Sequence, residues 1–216
     1  MKRIVVFLLI IISVSFAVNG QQYSIGFKPG FLIIGAKYTE EPLIMGLKLS
    51  SRGSYAFSLT LSDQIKKLVG FKIEPGYIAK GYNIIWGPED ENLYRNNYLS
   101  VPILIDISPI QNLSLEFGPE ISYLLNSKVK QSGSNSFRKN NSSNQKLYEL
   151  SLVTGVCYSF LKRFDFGARY VFGLTAYDKG QLVMIDYIGP QVNYKFVQNY
   201  FEFYLNTRFM TKTKNN

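Results

Sequence analysis

Tyr200-Phe201-Glu202-Phe203-Tyr204-Leu205-Asn206-Thr207-Arg208-Phe209 changes character at every step. Successive side chains of a strand point to opposite faces. Phe201, Phe203, Leu205, Thr207 and Phe209 therefore share one face, and Glu202, Tyr204, Asn206 and Arg208 share the other. This spacing predicts a strand over 200–209 with one side in an apolar medium and the other in a polar one. The same alternation sets Leu113, Leu115, Phe117, Pro119, Ile121, Tyr123 and Leu125 against Ser114, Glu116, Gly118, Glu120 and Ser122. It returns where Tyr148, Leu150, Leu152, Thr154, Val156, Tyr158 and Phe160 oppose Glu149, Ser151, Gly155, Cys157 and Ser159. Segments of about ten alternating residues with aromatic ends are the sequence signature of a membrane-spanning β-barrel.

The N-terminus carries Lys2 and Arg3, an apolar run over 4–17, and small or polar residues up to Gly20. That order matches a secretory signal peptide. Cleavage is expected after Gly20, with Ala17 as the alternative, because the run is shorter than the roughly 20 residues of a spanning helix. No cysteine directly follows the run, so a lipid anchor is not expected. Residues 21–216 then make one barrel domain, and 16 Tyr, 16 Phe and 17 Gly suit strands better than helices. Cys157, the single cysteine, has no partner for an internal disulfide and reads as a small filler of the inward face.

Candidate strands cover 23–34, 55–61, 68–82, 98–107, 113–125, 147–160, 164–174 and 200–209. Two more apolar stretches, 43–49 and 183–196, would raise the number from eight to ten. Barrels of this class have short periplasmic turns and longer outer loops. The connections 62–67, 108–112 and 161–163 are short, whereas 83–97 and 126–146 are long. Eight strands make these alternate and leave both termini in the periplasm. The fold class is thus a closed antiparallel up-and-down transmembrane barrel, with 43–49 and 183–196 as arms of outer loops or strand extensions.

Parity also lists the inward charges: Lys28, Lys72, Glu74, Lys80, Asp106, Glu116, Glu120, Glu149, Asp165, Arg169, Glu202 and Arg208. An eight-stranded barrel encloses room only for side chains. Charges confined there have to pair and hydrogen-bond. A structural plug is the first reading, with Arg169 as its hub and Asp165, Glu149 or Glu202 as partners. A binding site or a narrow proton path is the other. Gly26, Gly30, Gly76, Gly118, Gly155, Gly167 and Gly173 fall on the same crowded face.

The formal charge of +9 becomes +7 without Lys2 and Arg3. An exported chain seldom meets nucleic acid, so the excess is assigned to 126–146, where Lys128, Lys130, Arg138, Lys139 and Lys146 lie among Ser, Asn and Gln. This segment reads as a flexible, solvated outer loop, or as one that contacts anionic lipopolysaccharide or a surface partner. With no histidine in the chain, Ser-His-Asp hydrolysis and His-based zinc sites are excluded. Glu116 and Glu120 share a face, as acid–base pairs do, but so do carboxylates on any lumen wall. Glu89-Asp90-Glu91 beside Trp86 lacks the spacing of a calcium loop and reads as solvated, with Trp86 near the lipid interface. No cofactor or metal is expected.

Asn97-Tyr98-Leu99-Ser100-Val101-Pro102-Ile103-Leu104, Phe117-Gly118-Pro119-Glu120, Glu149-Leu150-Ser151-Leu152-Val153-Thr154-Gly155 and Phe166-Gly167-Ala168-Arg169-Tyr170-Val171-Phe172-Gly173-Leu174 resemble successive signatures of the PorT-like outer-membrane β-barrel family. The resemblance covers most of the chain after the leader. It implies a small porin-type barrel of Gram-negative bacteria, inserted by the barrel-assembly machinery and linked in its best-known members to protein secretion and gliding. Such chains often end on the aromatic residue of the last strand, whereas here 210–216 follow Phe209. Three functional readings follow. The first is a non-enzymatic structural or interaction protein in contact with outer-membrane lipid. The others are a narrow pore or small-solute channel, and a soluble lipocalin-like carrier with apolar residues inward.

Overall fold

The computed structural model describes residues 22–38, 48–66, 68–85, 91–140, 145–161, 163–176, 178–182 and 192–213. The leader, Trp86, Glu89 and Asp90 lie outside them, as do residues 43–47, 183–191 and 214–216.

Twelve strands form among the described residues: β1 (Gln22–Tyr38), β2 (Lys48–Ser50), β3 (Arg52–Lys66), β4 (Val69–Ile73), β5 (Gly76–Ile85), β6 (Glu91–Ile110), β7 (Leu113–Lys130), β8 (Arg138–Lys139), β9 (Tyr148–Leu161), β10 (Phe164–Gly173), β11 (Asp178–Leu182) and β12 (Val192–Thr213). Leu61 pairs with Ile73 and Ser58 with Gly76, so β4 and β5 keep one register and act as a single strand interrupted at Glu74-Pro75. Proline has no N–H for the ladder. Its carbonyl still accepts from Leu59 N at 3.0 Å. Antiparallel neighbours then run β1, β3, β4/β5, β6, β7, β9, β10 and β12, and the ring closes where β12 pairs with β1 from Gln22↔Thr213 to Tyr38↔Phe196. The barrel has eight walls, not ten.

Sequence and structure part at the long-loop end. The expected loop over 83–97 is mostly ladder, since β5 runs to Ile85 and β6 starts at Glu91. The expected free loop over 126–146 is partly folded. β7 continues to Lys130, and β8 turns back onto it with Lys128↔Lys139 and Val129↔Arg138 in register. Of the two arms, the described part of the first, 48–49, lies in β2 and extends the sheet beside β5, and the described part of the second, 192–196, begins β12, where Asp178–Leu182 pairs with it. Strands of 20 and 22 residues outrun the roughly 9–11 that cross a membrane, so these ends project beyond it.

The outer surface is apolar. Phe27, Phe31, Phe57, Leu59, Ile105, Phe117, Ile121, Phe166, Phe203 and Leu205 are all exposed. A continuous band of that kind has no place in water. Aromatic pairs edge it, Tyr123–Tyr148 at 5.1 Å toward the loops and Phe160–Phe164 at 5.9 Å near Arg163. The soluble carrier reading is thereby overturned, because the apolar face points out and the charged face in.

Candidate functional site: the plugged lumen

All twelve inward charges named from parity lie inside the ring, arranged as three clusters at different heights. The central cluster is built on Arg169. Its Nη1 and Nη2 donate to Glu74 Oε2 and Oε1 at 2.6 and 2.8 Å, while Nε donates to Glu116 Oε2 at 2.5 Å. Lys28 bridges Glu74 at 2.8 Å and Glu202 at 2.9 Å, and Lys72 bridges Glu116 at 2.8 Å and Asp106 at 3.1 Å. Arg169 and Lys28 both stand over the Tyr204 ring, 4.5 and 4.6 Å from its centre. Two glycines make the geometry possible. A Cβ on Gly167 would stand 2.1 Å from Tyr204 Cζ, and one on Gly155 would stand 2.5 Å from Arg169 Cγ.

Toward the loops, Lys80 meets Glu149 at 3.1 Å and Glu120 at 3.5 Å. Toward the turns, Arg208 holds Asp165 at 2.8 Å, and Ser159 and Asn206 donate to the same carboxylate at 2.6 and 2.9 Å. Among these twelve residues seven carboxylates face five cations. Tyrosine hydroxyls complete the balance: Tyr204 donates to Glu116 at 2.9 Å, Tyr200 to Glu120 at 2.7 Å, and Tyr98 to Glu149. Tyr200 and Tyr98 thereby reach the carboxylate oxygens that Lys80 leaves free, while Tyr204 shares Glu116 Oε2 with Arg169, each as a charge-assisted hydrogen bond.

Of the three expected partners of Arg169, Glu202 is found as its longest ion pair, and Asp165 and Glu149 are corrected. Glu202 is directly opposite on β12, yet its Oε2 is 3.7 Å from Nη1, and the short bonds go to Glu74 and Glu116. Asp165 belongs to Arg208 and Glu149 to Lys80. Parity reports which face a side chain occupies but not its height, and the long guanidinium reaches across the lumen rather than to its neighbour.

Parity-based reading also passed over an apolar interior. Leu32, Ile34, Ile78, Leu104, Leu124, Val153 and Val171 are buried with Tyr98 and Tyr200 in one cluster inside the barrel. The signal was present, since these residues have the parity of the charged ones. They fill the lumen beside and beyond the central cluster on the loop side. On the turn side the lumen opens into a cavity of about 1400 Å³, whose polar floor includes Lys72, Asp106, Asp165 and Arg208, with Cys157 in its wall.

Residues 12–178, well over half of the chain, match the sequence family of the outer membrane protein beta-barrel domain. The chain belongs to that family. Its barrel is an outer-membrane one. The match stops at this level and does not reach the PorT-like group. Comparison with curated protein sequences finds no match. Among solved structures, the attachment invasion locus protein Ail of Yersinia pestis is 13% identical, with a TM-score of 0.48 over 88% of this chain and 99% of that one. Neisserial surface protein A is 12% identical, with a TM-score of 0.49 over 87% and 99%. OprG of Pseudomonas aeruginosa is 10% identical, with a TM-score of 0.44 over 89% and 99%.

Proposed function

We propose that this barrel is a non-enzymatic structural or interaction component of the outer membrane, a rigid anchor that presents its long strand ends outside the cell. The observation that carries the reading is the sealed mid-section. Arg169, 2% exposed, ties β10 to β4/β5 and β7 through Glu74 and Glu116, and an apolar cluster packs against it on the loop side. Buried charges in such a network are bound too firmly to exchange with passing ions. Every charge of the three clusters has an ionic partner within the barrel, and their buried atoms left without a hydrogen bond, Asp106 Oδ1, Asn206 Oδ1 and Arg208 Nε, belong to residues that line the turn-side cavity. The 1400 Å³ cavity is then a blind vestibule opening at the short-turn end, which in this class faces the periplasm.

This reading disfavours the narrow pore or small-solute channel. Liposomes containing the folded protein should swell in an isotonic solution of a small sugar no faster than empty ones. Faster swelling would return the channel to first place.

A PorT-like role in protein secretion rests on the sequence motifs alone, which the fold places on β6, β7, β9 and β10. A strain lacking the chain would show it by retaining proteins that the wild type secretes. Unchanged secretion would leave the anchor without that assignment.

A further inference from the structure

The upper end of β7 carries a feature that the plug does not use. Asn97 of β6 pairs with Asn126 and Tyr98 with Leu124, so Leu125 is an extra residue, a β-bulge. Below it the even-numbered residues of β7 face inward, as the buried Glu116, Glu120 and Ser122 show. Above it the parity is reversed: Ser127 is buried, while Asn126 and Lys128 are exposed. A bulge re-aims the side chains that follow it. Here it turns Lys128 and Lys130 from the lumen to the outer surface.

Two further strands bring cations to that surface. Arg95 on β6 pairs with Lys128, and Lys128 pairs with Lys139 on β8, so three cations stand side by side on one rung. Like charges directly opposite one another destabilise a sheet. Among the described residues none of Arg95, Lys128, Lys130 and Lys139 is paired with a carboxylate. Glu91, four residues along β6 on the same face, instead accepts from Asn83 at 2.8 Å. The arrangement is also ordered, because the Arg95 guanidinium lies 5.4 Å above the Phe137 ring and β8 is held by Asn140 N donating to Ser127 O at 2.9 Å.

Depth decides what anion this surface meets. Lys128 follows Tyr123 of the loop-side aromatic pair by five residues, which at roughly 3.3 Å per residue and a tilt of about 45° is on the order of 12 Å along the membrane normal. The outermost part of a phospholipid headgroup layer, and the phosphorylated sugars of a glycolipid, occupy that height. We propose that Arg95, Lys128, Lys130 and Lys139 form an outward-facing site for the phosphates of lipopolysaccharide in the outer leaflet, with the Leu125 bulge as the device that aims it. The patch belongs to the barrel wall rather than to a free loop. Lysine and arginine near an anionic lipid surface each add to its attraction, and four on one face act together. The proposal rests on the reading that the long strand ends lie outside.

The test uses the full chain folded into nanodiscs of phosphatidylcholine, alone, with diphosphoryl lipid A, or with dephosphorylated lipid A in both leaflets. The lipid then reaches the patch whichever way the barrel points, so a failure concerns the patch and not the orientation. The temperature at which the folded gel band converts to the unfolded one should rise with diphosphoryl lipid A only. Arg95→Gln/Lys128→Gln/Lys130→Gln/Lys139→Gln should lose that rise, Lys128→Gln alone should lose part of it, and Lys146→Gln, off the rung, should keep it. An equal rise in wild type and the fourfold variant would overturn the site. So would a rise with the dephosphorylated lipid, and an equal rise with inorganic pyrophosphate would make it a free-anion site instead. If the fourfold variant fails to fold, Lys128→Gln against Lys146→Gln decides on the same readout.

Discussion

Arg169 directs three of its nitrogens at two glutamates in a geometry that lysine cannot copy, since an ammonium offers a point charge and no planar fork. Arg169→Ala leaves Glu74 and Glu116 with one lysine each and should destabilise the barrel by about 3–5 kcal/mol, as for other broken buried pairs. The check is the temperature at which its folded band disappears on a gel, and Arg169→Lys should recover only part of the difference. Gly167→Val should be at least as damaging, because its side chain would collide with the hydroxyl end of Tyr204, whose ring lies under both Arg169 and Lys28. Failure to yield a heat-modifiable band is the expected result. At this scale much was legible in the sequence: alternation alone placed Arg169 among carboxylates. The identity of its partners was not, because that depends on the offset between strands far apart in the chain. Nor was the use of Tyr98, Tyr200 and Tyr204 as donors, since a tyrosine on an inward position reads equally as filler.

Individual strands show the same division between face and extent. Phe203 lies in the middle of the lipid-facing run of β12, 40% exposed and paired with Phe31 on β1 and Ala168 on β10. Phe203→Arg should cost about 2–4 kcal/mol at the midplane. Chemical-denaturant unfolding in lipid vesicles measures it, and a loss near zero would mean that the residue meets water. The lengths of β6, β7 and β12 were underestimated from sequence because the alternation weakens once both faces of a strand are wet. The bulge at Leu125 escaped notice for a related reason: a parity reversal inside a polar stretch leaves no apolar residue on the wrong side to announce it. Residues 131–137 at the tip between β7 and β8 are predominantly exposed. Protease added to intact cells should therefore cut there; cutting only after the outer membrane is breached would invert the topology.

For the whole molecule, eight walls closed by β1 on β12 leave an apolar outside and an interior that is most densely ionic at mid-height, mainly apolar around the Lys80 cluster toward the loops, and hollow around the Arg208–Asp165 pair toward the turns. Eight rather than ten strands could be chosen in advance from the alternation of short and long connections. The vestibule could not, because a cavity is what remains after packing and no residue encodes it. The division of the interior is what makes the barrel an anchor rather than a conduit. The most direct measurement is the potassium-chloride conductance of planar bilayers holding the wild-type chain beside those holding Arg169→Ala/Glu74→Ala/Glu116→Ala, with folding of both verified by their heat-modifiable bands. Silent wild-type bilayers and a measurable leak through the stripped variant are the outcome this account predicts; regular conductance steps from the wild type would contradict it.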